Sequence, residues 1–221
     1  MKGKILVVGV GPGDPMLLTI KGKETIKSSK ILCIPRTKNG SLAYEICRDF
    51  LDKDSQIIWV DIEMGGGGEG KKRAIETMAN MIEAGRSLTY VALGDPALYS
   101  TFWGVWDSLK VELPNLDEKV QLEIVPGVSS VTACAAAAKV PLASGDESIL
   151  ITTRSSSKNP DTLVILKCTD CANVWDELKS AGMEGIAVRR ATMEDEKIGR
   201  IDGDYMTTVI ARRRWHDGRK R

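Results

Sequence analysis

Lys4-Ile5-Leu6-Val7-Val8-Gly9-Val10-Gly11-Pro12-Gly13-Asp14-Pro15 joins an aliphatic run to a turn built of glycine and proline. The run, Lys4 to Val10, has the β-branched character of a buried strand, and the punctuation after it ends that strand sharply. Glycines at such a corner let backbone come close to a ligand at the carboxyl end of a parallel strand. A segment of helix length, Met16 to Ser28, follows. Further strand-like runs lie at Lys30 to Ile34, Gln56 to Val60 and Ser87 to Leu93. Amphipathic helix-length segments cover Ser41 to Leu51, Lys71 to Glu83 and Leu98 to Leu109, with Ser41 as a natural N-cap. This β/α alternation predicts a parallel sheet.

After Leu109 the chain turns polar at Pro114-Asn115-Leu116-Asp117-Glu118-Lys119, and a domain boundary is expected there, giving domains 1–113 and 114–221. The second half predicts a strand at Val120 to Val125, an Ala-rich helix at Ser129 to Ala138, and strands near Ser148 to Thr153 and Thr162 to Leu166. A helix around Asn173 to Ala181 comes next. Three strand-like runs then follow without a helix, Gly185 to Ala191, Lys197 to Ile201 and Met206 to Ala211, which predicts antiparallel pairing and a mixed sheet. The fold class is therefore α/β in two domains, the first mostly parallel and the second mixed. Gly65 to Gly70, interrupted only by Glu69, reads as a flexible surface connection.

The 221 residues are 43% apolar and 28% charged, a globular composition. Thirty-one Lys and Arg against 30 Asp and Glu leave a net charge of +1, which argues against non-specific nucleic-acid or membrane-surface binding. The basic ends Arg212-Arg213-Arg214 and Arg219-Lys220-Arg221 read as a solvated terminus. No apolar stretch approaches the ~20 residues of a spanning helix, and no signal-peptide core follows Met1, so a cytoplasmic protein is expected. Five scattered cysteines read as reduced thiols. The pair Cys168-Thr169-Asp170-Cys171 raises redox or zinc chemistry. With no second pair and a single histidine, His216, in the polar tail, no metal site is expected. The lone histidine also argues against Ser/His or Cys/His catalysis.

The first glycine turn fails the dinucleotide fingerprint, because Asp14 stands where a third glycine is required and Ile34-Pro35-Arg36 ends the second strand without an acid. The P-loop pattern is absent too. Two more strand-to-helix corners exist, however: Leu93-Gly94-Asp95-Pro96-Ala97-Leu98-Tyr99-Ser100-Thr101-Phe102 and Val125-Pro126-Gly127-Val128-Ser129-Ser130. Carboxyl ends of parallel strands lie along one edge, so these corners are expected to face one crevice.

In order and spacing these three segments resemble the tetrapyrrole (corrin/porphyrin) methyltransferase family, and the likeness spans nearly the whole chain. Together with Pro35-Arg36 and Asn39-Gly40-Ser41-Leu42-Ala43, the second segment is most similar to the branch that methylates carbon 20 of precorrin-2 or cobalt-factor II in cobalamin synthesis. The resemblance implies S-adenosylmethionine as methyl donor, held in a cleft between the domains, and a homodimer. It assigns donor contacts to Pro12, Leu93, Gly94, Asp95, Leu98, Ser129 and Ser130, with backbone contacts near Lys167, Ala191 and Thr207. Alternatives stay open at several of these: Leu93, Leu98 and Ala191 also suit a core, and Ser129 and Ser130 also suit a helix cap.

Methyl transfer to an electron-rich ring carbon needs alignment more than a protein nucleophile. A base must take the displaced proton, and Asp14 and Tyr99 are the candidates by position, Asp14 being equally suited to a helix N-terminus. The many rim carboxylates of a tetrapyrrole call for cations. Arg36 and Lys38, expected in the loop after the second strand, are the first candidates, Lys21 and Arg154 the next, and each also suits a solvated surface. Competing expectations are a methyltransferase for another ring carbon or for uroporphyrinogen III, a non-catalytic donor sensor or tetrapyrrole carrier, and a diphthamide-type protein methyltransferase.

Overall fold

The structure, a computed structural model, describes residues 2–62, 68–154, 158 and 160–213. Two compact units divide the chain, Met1–Ser129 and Ser130–Arg221. The first carries strands β1 (Gly3–Gly9), β2 (Ile31–Arg36), β3 (Gln56–Asp61), β4 (Leu88–Ala92) and β5 (Val120–Val125) in the order β3-β2-β4-β1-β5. Every pairing in this sheet is parallel. Alternation along the strands sends Val8, Val10, Leu32, Ile34 and Val91 to the face covered by α1 (Ile20–Ser28) and α2 (Leu42–Cys47). Ile5, Val7, Cys33, Ile58, Val60 and Tyr90 face α3 (Glu69–Glu83) and α4 (Phe102–Glu112) instead. Because helices cover both faces, the strands can be apolar at nearly every position.

Local hydrogen bonding trims the predicted helices. Met16 to Ser28 is not one helix: Asp14 caps a 3-10 turn at Pro15–Leu17, and Thr19 then starts α1 by accepting from the Gly22 N–H at 3.0 Å. Ser41 caps α2 as expected, its Oγ accepting from Tyr44 N–H at 3.1 Å while donating to the Pro35 carbonyl at 2.6 Å. The helix predicted from Leu98 begins only at Phe102. Pro96 and the left-handed backbone of Tyr99, with φ 51°, keep the intervening residues in a turn.

The expected boundary at 113/114 is corrected. β5 pairs with β1 from Gly3 opposite Val120 to Val8 opposite Val125, so the polar stretch is a loop inside the first unit. It even contains a single helical turn, α5 (Leu116–Lys119), with Leu116 buried. Composition reports exposure of the loop and says nothing of which sheet the next strand joins.

The second unit comprises α6 (Ser130–Ala138), β6 (Ile149–Thr152), β7 (Thr162–Ile165), α7 (Cys171–Ser180), β8 (Glu184–Arg189), β9 (Lys197–Gly199) and β10 (Thr207–Arg212). Strand order is β6-β7-β10-β8-β9, with β6 and β7 parallel and the remaining pairs antiparallel, which is the mixed sheet expected. α7 packs Val174 and Leu178 on Leu163, Ile165, Ala187 and Val209, while α6 lies against β8 and β10. Among the described residues no helix is long and apolar enough to cross a membrane.

Arg212 departs from the expected solvated tail. It is 1% exposed, pairs with Glu147 and donates to the Pro141 carbonyl at 3.0 Å. Arg213 is exposed, and the tail from Arg214 onward, with His216, lies outside the described residues, as does most of the glycine run. Removing the partner of a buried charge is costly, so Glu147→Ala is expected to lower unfolding free energy by about 2–3 kcal/mol, discounted for the partial exposure of Glu147. Urea denaturation checks this, and a loss below about 0.5 kcal/mol, typical of a surface pair, contradicts it.

Candidate active site

β4, β1 and β5 are adjacent and parallel, so their carboxyl ends emerge side by side. Gly9 ends β1, Ala92 ends β4 and Val125 ends β5, and each is followed by one of the glycine corners. The corners meet backbone to backbone. Gly94 N–H donates to the Gly11 carbonyl at 2.8 Å and Gly11 N–H returns a bond to Gly94 at 3.3 Å. A Cβ on Gly9 would sit 2.6 Å from the Gly94 carbonyl oxygen and 2.7 Å from Gly127 N. One on Gly127 would sit 2.3 Å from the same oxygen and 2.8 Å from Gly9 Cα. Only glycine allows three backbone segments to approach this closely.

Asp95 ties the junction together. Its carboxylate accepts from Ala97 N–H at 2.7 Å and from Gly127 N–H at 3.1 Å, so one side chain orders its own turn and holds the β5 corner against it. Trp103 Nε1 fixes the same turn by donating to the Pro96 carbonyl at 2.9 Å. Gly94, with φ 72°, is buried, yet a Cβ there would meet nothing within 4 Å. Buried backbone here borders space that a side chain could enter without a clash.

The sequence candidates fall as follows. Pro12 is buried in the first corner, and Leu93 and Leu98 are half-buried, Leu93 packing on the core beside α1 and α2. Ser129 and Ser130 stand at the start of α6. Asp14 accepts from Met16 N–H at 2.8 Å, a helix-capping role. Tyr99 is 47% exposed and holds a left-handed backbone, a conformation costing on the order of 1 kcal/mol in a non-glycine residue and common at functional sites.

Within the second unit, Lys167, Ala191 and Thr207 gather at one edge of the sheet. β10 starts where β7 and β8 end, Cys168 N–H donates to the Thr207 carbonyl at 2.9 Å, and Arg190 N–H donates to Met206 at 3.1 Å. Lys167, Arg190 and Thr192 all have positive φ, at 56°, 53° and 72°. Strain at three non-glycine residues of one edge is invisible to composition, and the sequence reading missed it.

Arg36 is the last residue of β2 rather than part of the loop after it. Its Nε donates to Asp61 Oδ1 at 2.6 Å, and its guanidinium lies 5.4 Å over the Trp59 ring. Asp61 ends the neighbouring strand in register with Arg36, and Gly70 of α3 makes room for it, since a Cβ there would sit 2.2 Å from Asp61 Oδ2. Arg36, Trp59, Asp61 and Arg73 border a hollow of ≈ 320 Å³. Asp61 and Trp59 escaped the sequence reading, although a charge closing each of two apolar strands was a usable signal. Lys38 is exposed at the tip of the Thr37–Gly40 turn, Lys21 pairs with Glu123 at 2.9 Å, and Arg154 is exposed after β6. Burial pushes the Cys33 thiol up to about 12 and that of Cys134 to about 11, which leaves little thiolate on either at neutral pH.

A family model for tetrapyrrole (corrin/porphyrin) methylases matches residues 4–203. The chain belongs to that family, a class of methyltransferases that use S-adenosylmethionine. It is 34% identical to a probable cobalt-precorrin-2 C(20)-methyltransferase of Methanocaldococcus jannaschii, over 95% of this chain and 96% of the relative. A cobalt-precorrin-2 C(20)-methyltransferase of Salmonella typhimurium is 30% identical over 97% and 98%. In fold, a cobalt precorrin-4 methyltransferase superposes with a TM-score of 0.69 at 24% identity, covering 94% of both chains. A uroporphyrin-III C-methyl transferase from Thermus thermophilus, complexed with S-adenyl homocysteine, reaches 0.63 at 18% identity over 95% of this chain and 97% of that one.

Gly127→Ala is expected to destabilise the first unit by about 2–3 kcal/mol, as over-packing against rigid backbone does; an unchanged urea midpoint contradicts the junction described. The Arg36 hydrogen bond, more than its charge alone, holds the Asp61 carboxyl below its ordinary value. A depressed carboxylate contributes stability above the ordinary carboxylate range and loses it as pH falls through its own lowered value. In Arg36→Gln, the Asp61 side-chain carbonyl resonance is expected to titrate at higher pH than in the parent, and an unmoved midpoint contradicts the pairing.

Proposed function

We propose that the protein transfers a methyl group from S-adenosylmethionine to carbon 20 of cobalt-factor II (cobalt-precorrin-2) or precorrin-2, a step of cobalamin biosynthesis. The observation that carries this is the pair of relatives with that named activity, each matched over nearly its full length, and the open glycine junction at Gly94 is consistent with it. Within the proposal the enzyme is a cytoplasmic homodimer.

The donor supplies a methyl carbon activated by a sulfonium leaving group. The protein's part is to bind and align. Pro12, Leu93, Gly94, Asp95 and Leu98, all in the first two corners, are assigned to the donor, and the open space at Gly94 supports backbone contact with it there. Holding two reactants in line can lower a barrier by ~7 to 11 kcal/mol. Asp95 maintains that alignment by locking two corners with one carboxylate. Ser129, Ser130, Lys167, Ala191 and Thr207 are further donor contacts in this reading.

Arg36 and Lys38 are assigned to the rim carboxylates of the tetrapyrrole. Asp61 and Trp59 orient Arg36, which costs less ordering on binding than a loose side chain. Asp14 and Tyr99 are the proposed proton acceptors for the displaced ring hydrogen. The Tyr99 left-handed turn, held between the Asp95 bonds and α4, supports its placement as a constrained group.

The test is an assay of purified protein with methyl-labelled S-adenosylmethionine and, side by side, precorrin-2 and cobalt-factor II. Label at carbon 20 of either acceptor is the expected outcome. Label at another ring carbon, or methylation of uroporphyrinogen III instead, overturns the substrate assignment while leaving the family standing.

A further inference from the structure

Cys168-Thr169-Asp170-Cys171 joins the end of β7 to the start of α7, and methyl transfer makes no use of its thiols. The two Sγ atoms stand 2.7 Å apart. A disulfide has an S–S length of about 2.05 Å, so closure needs a movement of well under an ångström. The backbone already holds both residues in place. Cys168 N–H is bound to the Thr207 carbonyl at 2.9 Å, and Cys171 is the first helical residue of α7, whose N-cap Asp170 accepts from Asn173 N–H at 3.3 Å. Gly203 presses over the pair from the irregular segment between β9 and β10. A Cβ on it would lie 2.6 Å from Cys171 Sγ and 1.8 Å from the Cys168 carbonyl oxygen.

We propose that Cys168 and Cys171 form a dithiol modification site that closes reversibly to an intramolecular disulfide by exchange with low-molecular-weight disulfides of the glutathione type. One thiolate attacks a sulfur of the external disulfide, breaking its S–S bond and expelling one glutathione thiolate. The second protein thiolate attacks the protein sulfur of that mixed disulfide and expels the other glutathione. Two electrons pass from the cysteine pair to the external disulfide, and the two thiol protons end on two molecules of reduced glutathione. The juxtaposition favours the second step over accumulation of the mixed disulfide, because the resolving sulfur is already in contact.

Access comes through the cover. The segment carrying Gly203 is irregular but anchored at Asp204, which accepts from Met206 N–H at 2.8 Å and pairs with Arg190 at 3.3 Å, so exchange requires this cover to open locally. Burial pushes the Cys168 thiol up to about 12 and raises that of Cys171 too, where Asp170, Asp202 and Asp204 further oppose a thiolate, so exchange is slow at neutral pH and quickens as pH rises. Cys33, Cys47 and Cys134 are likewise buried, the first two in the packed cores and Cys134 on the buried face of α6, and serve as internal controls.

The experiment incubates native full-length protein in mixtures of reduced and oxidised glutathione, alkylates remaining thiols after denaturation, and digests with trypsin. Cleavage after Lys167 and Lys179 releases both cysteines in one peptide. The expected result is that this peptide becomes unalkylated and lighter by two hydrogen atoms than its reduced form, that dithiothreitol reverses the change, and that the other three cysteines stay alkylated. In Cys171→Ser, Cys168 is expected to retain glutathione as a trapped mixed disulfide. A Cys168–Lys179 peptide that stays doubly alkylated in oxidised glutathione, that closes only in urea, or that carries glutathione without closing in the parent protein overturns the proposal. Should the variant fail to fold by circular dichroism, the parent measurement decides alone.

Discussion

Three backbone corners touching at Gly9, Gly94 and Gly127 are the constraint on which the first unit and its site depend. Side chains elsewhere in the sheet can be exchanged within limits of volume, but here the contact is main chain on main chain, with nothing to repack. The strand order β3-β2-β4-β1-β5 makes the meeting possible by placing β1 between β4 and β5. Asp95 then converts proximity into a fixed geometry by bonding its own turn and the neighbouring corner. Local sequence chemistry and long-range topology thus specify the same point, and it is there that Gly94 borders open space.

One ion pair closes the neighbouring strands of the same sheet. A chain with almost no net charge still places Arg36 and Asp61 at the ends of adjacent parallel strands, with Arg73 near by, and Gly70 is small because the Asp61 carboxylate needs the space. A guanidinium held by a carboxylate and lying over Trp59 is a directed group, which distinguishes it from Lys38 on its exposed turn. In the second unit a different device appears: Lys167, Arg190 and Thr192 carry left-handed backbone at one sheet edge. Their strain is sustained by the hydrogen bonds that bind Cys168 and Arg190 to the start of β10.

Much of this was legible in residue pattern. Strand identities, the parallel first sheet, the mixed second one and the Ser41 cap follow from period-two apolar runs, missing helices and short polar caps. The three corners were visible because glycine and proline mark them. Pattern failed where the deciding contact is distant in sequence. β5 joins the first sheet through β1, more than a hundred positions away, so the polar loop before it looked like a border. Arg212 looked like part of a basic tail because its partner Glu147 lies on another segment. The Asp95 bond to Gly127 and the strained edge residues leave no composition signal at all, and Asp14 carried two readings of which the structure displays the capping one.

In the proposed function the junction at Gly94 holds the methyl donor. Gly94→Ala would fill open space at φ 72°, and Gly182→Ala would do the same at φ 64° past the end of α7. Both substitutions are expected to cost about 1 kcal/mol of stability through backbone strain alone. Calorimetric titration with S-adenosylhomocysteine separates them. The account predicts a loss of affinity of at least about tenfold for Gly94→Ala, some 1.4 kcal/mol, and parent-like binding for Gly182→Ala. Equal affinity in both variants and the parent would contradict it.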